Sequence, residues 1–151
     1  MEATFKILVT NRNLYLRFLD DYSLEQLNAI PQGFSNNLIW NIGHIVVAQQ
    51  GLVYRLSGLP TNVSAEMTEK YKNGSRPDGK TTQEEVDEIR ALLTFLPEQT
   101  KMDFEAGKFQ HFNEYQTQTG FHLGSFKDAM EFNNYHEGLH LGFMMQIRKF
   151  I

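Results

Sequence analysis

His136 and His140 lie four residues apart near the end of the chain. On an α-helix, at about 100° and 1.5 Å per residue, they fall ~40° apart on one face, one turn above the other. That spacing lets a single helix offer two imidazoles to one metal ion. The same face carries Ala129, Asn133, Phe143 and Ile147, which points it at a bundle interior where an unpaired imidazole is costly. Such pairs also occur in helices that bind nothing, so a third donor has to decide. His44, in Trp40-Asn41-Ile42-Gly43-His44-Ile45-Val46-Val47, is the remaining histidine on a well-marked helix. Helical bundles build metal sites from side chains on facing helices, and His44 is therefore expected to join His136 and His140. His111 and His122 fall in an irregular stretch and read as solvated loop residues, with His122 the reserve third ligand.

Residues 136 to 140 also spell His-Glu-Gly-Leu-His, a literal match to the HExxH of zinc proteases, in which the glutamate is the general base. The context fails. In the extended form of that motif the third ligand comes six residues after the second histidine, and here that residue is Gln146. No His, Asp or Glu occurs among the eleven residues after His140. Peptide hydrolysis is set aside.

The elements that must carry these side chains are helical. A stripe of Phe5, Leu8, Arg12, Tyr15 and Leu19 predicts a helix over about 4–21. A short piece over 23–29 opens with Ser23 and Gln26 at capping-box spacing. The helix of His44 is expected to start at Ser35 or Asn36 and to stop at Gly58 and Pro60. Residues 61–80 are polar and read as a crossover connection. A third long helix begins near Thr82, with Pro97 expected to kink or end it. Residues 107–124 are irregular, with a short extended piece permitted between Phe109 and Gln118. The last helix is capped by Ser125 and Asp128 and carries His136 and His140. Four long helices with generous connections make an all-α bundle with at least one parallel neighbour pair. No internal repeat or low-complexity tract is present.

Bulk composition narrows the function. The 151 residues are about one domain's worth, read as a single domain over 1–151. A net charge of −4, with Lys and Arg scattered, disfavours binding to a phosphate backbone. There is no cysteine, which excludes disulfides, zinc–thiolate sites and a cysteine nucleophile. No apolar run approaches the ~20 residues of a membrane span, and the N-terminus lacks the layout of a signal peptide. A cytoplasmic protein is expected.

Two stretches together resemble a known family. Ser35-Asn36-Asn37-Leu38-Ile39-Trp40-Asn41-Ile42-Gly43-His44, and Tyr135-His136-Glu137-Gly138-Leu139-His140-Leu141-Gly142 about ninety residues later, resemble the DinB-like superfamily with its YfiT-like proteins. The likeness extends over nearly the whole chain, including Thr119-Gly120-Phe121-His122-Leu123-Gly124-Ser125 through Lys149. It implies a four-helix bundle of up-down-down-up topology, often a homodimer. It also implies a divalent metal ion, nickel or zinc foremost, held by the residues that match the family's ligands: His44, His136 and His140. Some relatives transfer low-molecular-weight thiols; many have no assigned reaction. The family name refers to DNA-damage induction and implies no polymerase.

Three neutral imidazoles leave a coordination position open to water or substrate, as catalytic sites do. A bound ion can lower the pKa of what it carries. If that is a low-molecular-weight thiol, the expected reaction is S-transfer to a small electrophile such as an epoxide, alkyl halide or activated alkene. If it is water, hydrolysis follows, with Glu137 as base or as a mere solvent-facing neighbour. A third reading is a non-catalytic stress or interaction protein with a structural ion. Asn133 is a candidate to orient an imidazole, and Trp40 and Tyr54 are candidate pocket walls. Histidine nitrogen by itself does not choose among zinc, nickel, copper and iron.

Overall fold

The first stripe forms as its spacing requires. In the computed structural model, which describes residues 1–151, helix α1 (Glu2–Asp21) buries Phe5, Leu8, Tyr15 and Leu19 together with Thr4 and Arg12. Helix α2 (Leu24–Asn28) opens with the expected capping box: the Ser23 hydroxyl accepts from the Gln26 N–H, and the Gln26 side chain accepts from the Ser23 N–H. Helix α3 (Leu38–Gln50) buries every residue except Ala48, the mark of a helix packed on all sides. Its cap is Asn37, whose Oδ1 accepts from the Trp40 N–H at 2.8 Å. The helix therefore starts later than the expected Ser35 or Asn36. A π-helical turn, Gly51–Arg55, extends α3 before the chain leaves through Gly58 at φ 71°.

One element departs from expectation, and another decides between two alternatives left open. Within the polar crossover the chain forms α4 (Ala65–Tyr71), capped by Ser64 and anchored by buried Met67 and Tyr71. One i, i+4 pair is too little to register as periodicity. Helix α5 (Gln83–Glu105) runs on past Pro97. Its far half is held by tertiary contacts: Thr100 Oγ1 accepts from Gln49 at 2.9 Å, Asp103 accepts from the Tyr54 hydroxyl at 2.8 Å, and Phe104 packs on Phe5 and Phe126. These outweigh the one backbone hydrogen bond that proline removes. Two short antiparallel strands follow, β1 (Tyr115–Gln116) and β2 (His122–Leu123), the first within the stretch read as possibly extended. Helix α6 (Phe126–Ile147) is capped by Ser125, whose hydroxyl accepts from the Asp128 N–H.

Contacts along the helices fix their directions. Thr4 meets Glu131 and Arg12 meets Glu137, so α1 and α6 run parallel. Asp20 meets Arg90 while Phe5 meets Phe104, so α5 is antiparallel to α1. Asn41 meets His140 and His44 meets His136, so α3 is antiparallel to α6. Gln49 meets Thr100 and Tyr54 meets Asp103, so α3 and its π turn run parallel to α5. The result is an all-α up-down-down-up four-helix bundle, with α4 on the crossover between the parallel α3 and α5. The main core joins residues of all four long helices. No helix is long and apolar enough to cross a membrane.

Candidate metal centre

The antiparallel pairing of α3 and α6 brings His44 opposite His136 and Asn41 opposite His140. The Nε2 atoms of His44 and His140 lie 3.3 and 3.1 Å from Nε2 of His136. One ligand nitrogen from each ring falls within 4.8 Å of the others, so the cluster could hold a metal ion.

Hydrogen bonds on the far side of two rings set their tautomers. Nδ1 of His44 lies 2.7 Å from the Tyr71 carbonyl, which can only accept, so this nitrogen carries the proton. Nδ1 of His140 lies 2.7 Å from Asn41 Oδ1. The amide of Asn41 is oriented by its NH₂ group, which donates to the Asn37 carbonyl and to Asn36 Oδ1. His140 must therefore donate as well. Both rings are left with a bare lone pair at Nε2, and both lone pairs face His136. Nδ1 of His136 is buried without a partner.

The electrostatics agree. Burial, with the neighbouring imidazoles adding to it, pushes His140 down to about 3. Burial and His44 push His136 down to about 4. Burial lowers His44 also, against the Tyr71 carbonyl, which favours its protonated form. Three neutral imidazoles crowded together in this way could hold a divalent cation.

Packing behind the rings keeps them in place. The Trp40 ring stacks on His44, 4.8 Å between centroids and 8° from parallel. Gly43 matters through what it lacks: a Cβ there would sit 2.5 Å from the Tyr71 ring. The missing side chain lets α4 settle on α3 and brings the Tyr71 carbonyl to His44. The three histidines line a cavity of about 630 Å³, walled by Trp40, Val47, Leu52, Phe132 and Phe143 among apolar residues and by Asn36, Arg55 and Thr117 among polar ones.

A family model described as the DinB superfamily matches residues 7–144. The chain belongs to the DinB superfamily. No curated protein matches the sequence.

In this DinB-superfamily chain the three expected histidines come together, while several neighbours do something other than expected. Glu137 is neither a base in the cavity nor a solvent-facing residue. It is fully buried, and Oε1 accepts from Arg12 at 2.7 Å and from Asn133 Nδ2 at 2.8 Å. Burial pushes its pKa up while Arg12 and Asn133 pull it back, and it takes no part in the cavity wall. Asn133 is thereby committed to Glu137 and orients no imidazole. Tyr54 points away from the cavity, into a hydrogen bond with Asp103 and against the Phe109 ring, because the π turn carries it to the α5 side. His122 is exposed beside Glu114 at 3.2 Å and His111 beside Asn113 at 3.0 Å, so neither completes the cluster.

Asn41, the Tyr71 carbonyl and Arg55 are the site residues that the sequence did not single out. Asn41 lies one turn before His44, yet the ring it orients is that of His140 on the facing helix. Tyr71 was traceable only through the Ser64 cap and the Met67/Tyr71 spacing.

Proposed function

We propose that the chain is a metal-dependent S-transferase, which joins a low-molecular-weight thiol to a small electrophile at a nickel or zinc ion held by His44, His136 and His140. The observation that carries this reading is the pair of tautomer-locked imidazoles whose lone pairs converge on a third ring at the floor of an open cavity. A divalent ion bound there supplies Lewis acidity and lowers the pKa of a thiol. In the overall reaction the thiol sulfur bonds to the electrophilic carbon while a carbon–halogen or carbon–oxygen bond breaks. The halide leaves and the thiol proton passes to solvent, or the opened alkoxide takes that proton. The residues of this chain hold and exclude. Asn41 and Tyr71 fix the rings, and Trp40 and Phe132 shield them from water.

The absence of cysteine supports the same reading, since no thiol of the protein competes for the ion. Hydrolysis is the weaker alternative, because Glu137, its one proposed base, is locked to Arg12. We also propose a homodimer through α6, where Tyr135, Leu139 and Phe143 form an exposed apolar stripe beside Gly138 and Gly142.

Metal analysis of protein purified without a histidine tag tests the centre. One equivalent of ion is expected, and His44→Ala should lose it while keeping its helical circular dichroism. Metal-loaded protein should then consume thiol with a chlorinated or epoxide electrophile faster than the metal-free chain does. A bound ion with no metal-dependent rate across a panel of thiols, but a large fall in melting temperature on chelation, would leave a structural ion instead.

A further inference from the structure

Twenty residues line the cavity over the histidines, and none is Asp or Glu, although the chain has 18 acidic residues against 14 Lys and Arg. The wall has two cations, Arg55 and Lys72. Lys72 is already engaged, 2.5 Å from Glu69. Arg55 has no carboxylate within ion-pairing distance. Its guanidinium folds back along the helix, with Nη2 2.7 Å from where a Cβ of Gly51 would stand. Gly51 thus makes room for the guanidinium on the same wall as His44, seven residues and ~10 Å along the axis from it. Between the two, Val47, Ala48 and Leu52 make the wall mostly apolar.

We propose that Arg55 is the seat of a carboxylate, so that the cavity selects small molecules bearing an anionic group about 10 Å from the atom seated at the histidines, with an apolar span between. This rests on the functional reading above and names the substrate class of that site. A planar guanidinium presents paired N–H donors that match a carboxylate's two oxygens. One free cation balances one negative charge. A phosphate monoester, near −2, would need a second cation, and the other one in the wall, Lys72, is shared with Glu69 at the surface.

The probes are 8-mercaptooctanoic acid, 8-mercaptooctanol and 8-mercaptooctyl phosphate, whose chains span the distance. Trp40 is the only tryptophan and lies in the wall, so its fluorescence reports occupancy with or without metal. The acid should bind the metal-free chain about tenfold more tightly than the alcohol, the scale of one charge-assisted contact. Arg55→Gln should abolish that preference. Gly51→Ala, which displaces the guanidinium but keeps its charge and the helix, should reduce it several-fold. Equal binding of acid and alcohol, or a preference that survives Arg55→Gln, overturns the proposal, as does tighter binding of the phosphate than of the acid. Failure of the metal centre is read separately: metal analysis and His44→Ala address it, and the preference measured without metal does not depend on it.

Discussion

A neutral imidazole has one N–H and one lone pair, and at His44 and His140 the N–H is already committed to an oxygen, the Tyr71 carbonyl and Asn41 Oδ1 respectively. That commitment leaves Nε2 free to bind an ion, and its effect can be tested without touching a histidine. Asn41→Leu removes the acceptor for His140 and should weaken metal affinity about 10- to 100-fold, the usual effect of losing such a partner. Competition with a chromogenic chelator measures it, and unchanged affinity would mean that the amide is mere packing. Gly43→Ala acts on His44 from behind. Its Cβ would meet the Tyr71 ring at 2.5–2.7 Å, so the ring must move and the carbonyl with it. We expect a stability loss of about 1–3 kcal/mol by urea denaturation, together with a metal affinity lowered like that of Asn41→Leu. The histidines were legible in the sequence because a side chain of a distinctive type repeats at helical spacing. The carbonyl of Tyr71 was not, because every residue has a carbonyl, and only the fold says which one reaches the ring.

Helices α1 and α6 are tied together inside the bundle by a charge. Arg12 and Glu137 are almost wholly buried and meet at 2.7 Å, and the Tyr15 hydroxyl donates to the Glu137 carbonyl next to them. Arg12 had a place on the apolar stripe of α1 from the outset, but nothing in the sequence named its partner 125 residues away. The HExxH-like spelling drew attention to Glu137 for the wrong reason. Removing one member leaves the other charged and unpaired. Glu137→Leu should therefore cost roughly 3–5 kcal/mol of stability, whereas Arg12→Met with Glu137→Leu should cost much less. Denaturant melts of the two variants decide it. A Glu137→Leu protein as stable as the parent would mean that the carboxylate does not hold the helices. Elsewhere the elements followed their signals: the caps at Ser23, Thr82 and Ser125 stand where the spacing put them. Where local signals were absent or left alternatives open, tertiary contact decides. Pro97 is tolerated because Thr100, Asp103 and Phe104 are held on either side of α5, and α4 forms because Met67 and Tyr71 find a surface on α3.

For the molecule as a whole, the exposed stripe on α6 and the chain's modest negative charge permit self-association. Leu139→Glu should convert a dimer to a monomer in light scattering, and a parent chain that is already monomeric removes the dimer. The coupling of stability, acidity and metal goes further. Histidines of the unfolded chain take up protons as the pH falls through about 6.5, while burial delays uptake by folded His136 to about 4 and by folded His140 to about 3. Between those limits the unfolded state binds more protons, so the metal-free chain loses stability as the pH falls, by up to about 1.4 kcal/mol per pH unit for each such histidine. His44, lowered by the same burial, adds in the same direction. Below about pH 4 the folded rings begin to titrate as well and the dependence flattens. Metal affinity of the folded chain has a different profile, because an ion competes only with protons that the folded rings accept. Its fall should begin at lower pH than for imidazoles of ordinary basicity, which would lose affinity from about 6.5 downward. Chelator competition across that range distinguishes the two. A steady decline beginning near neutrality would show that water reaches the rings and that Trp40 and Phe132 do not keep them dry. A level profile with a late fall would make the half-buried, neutral cluster the property that lets this bundle hold an ion in mild acid.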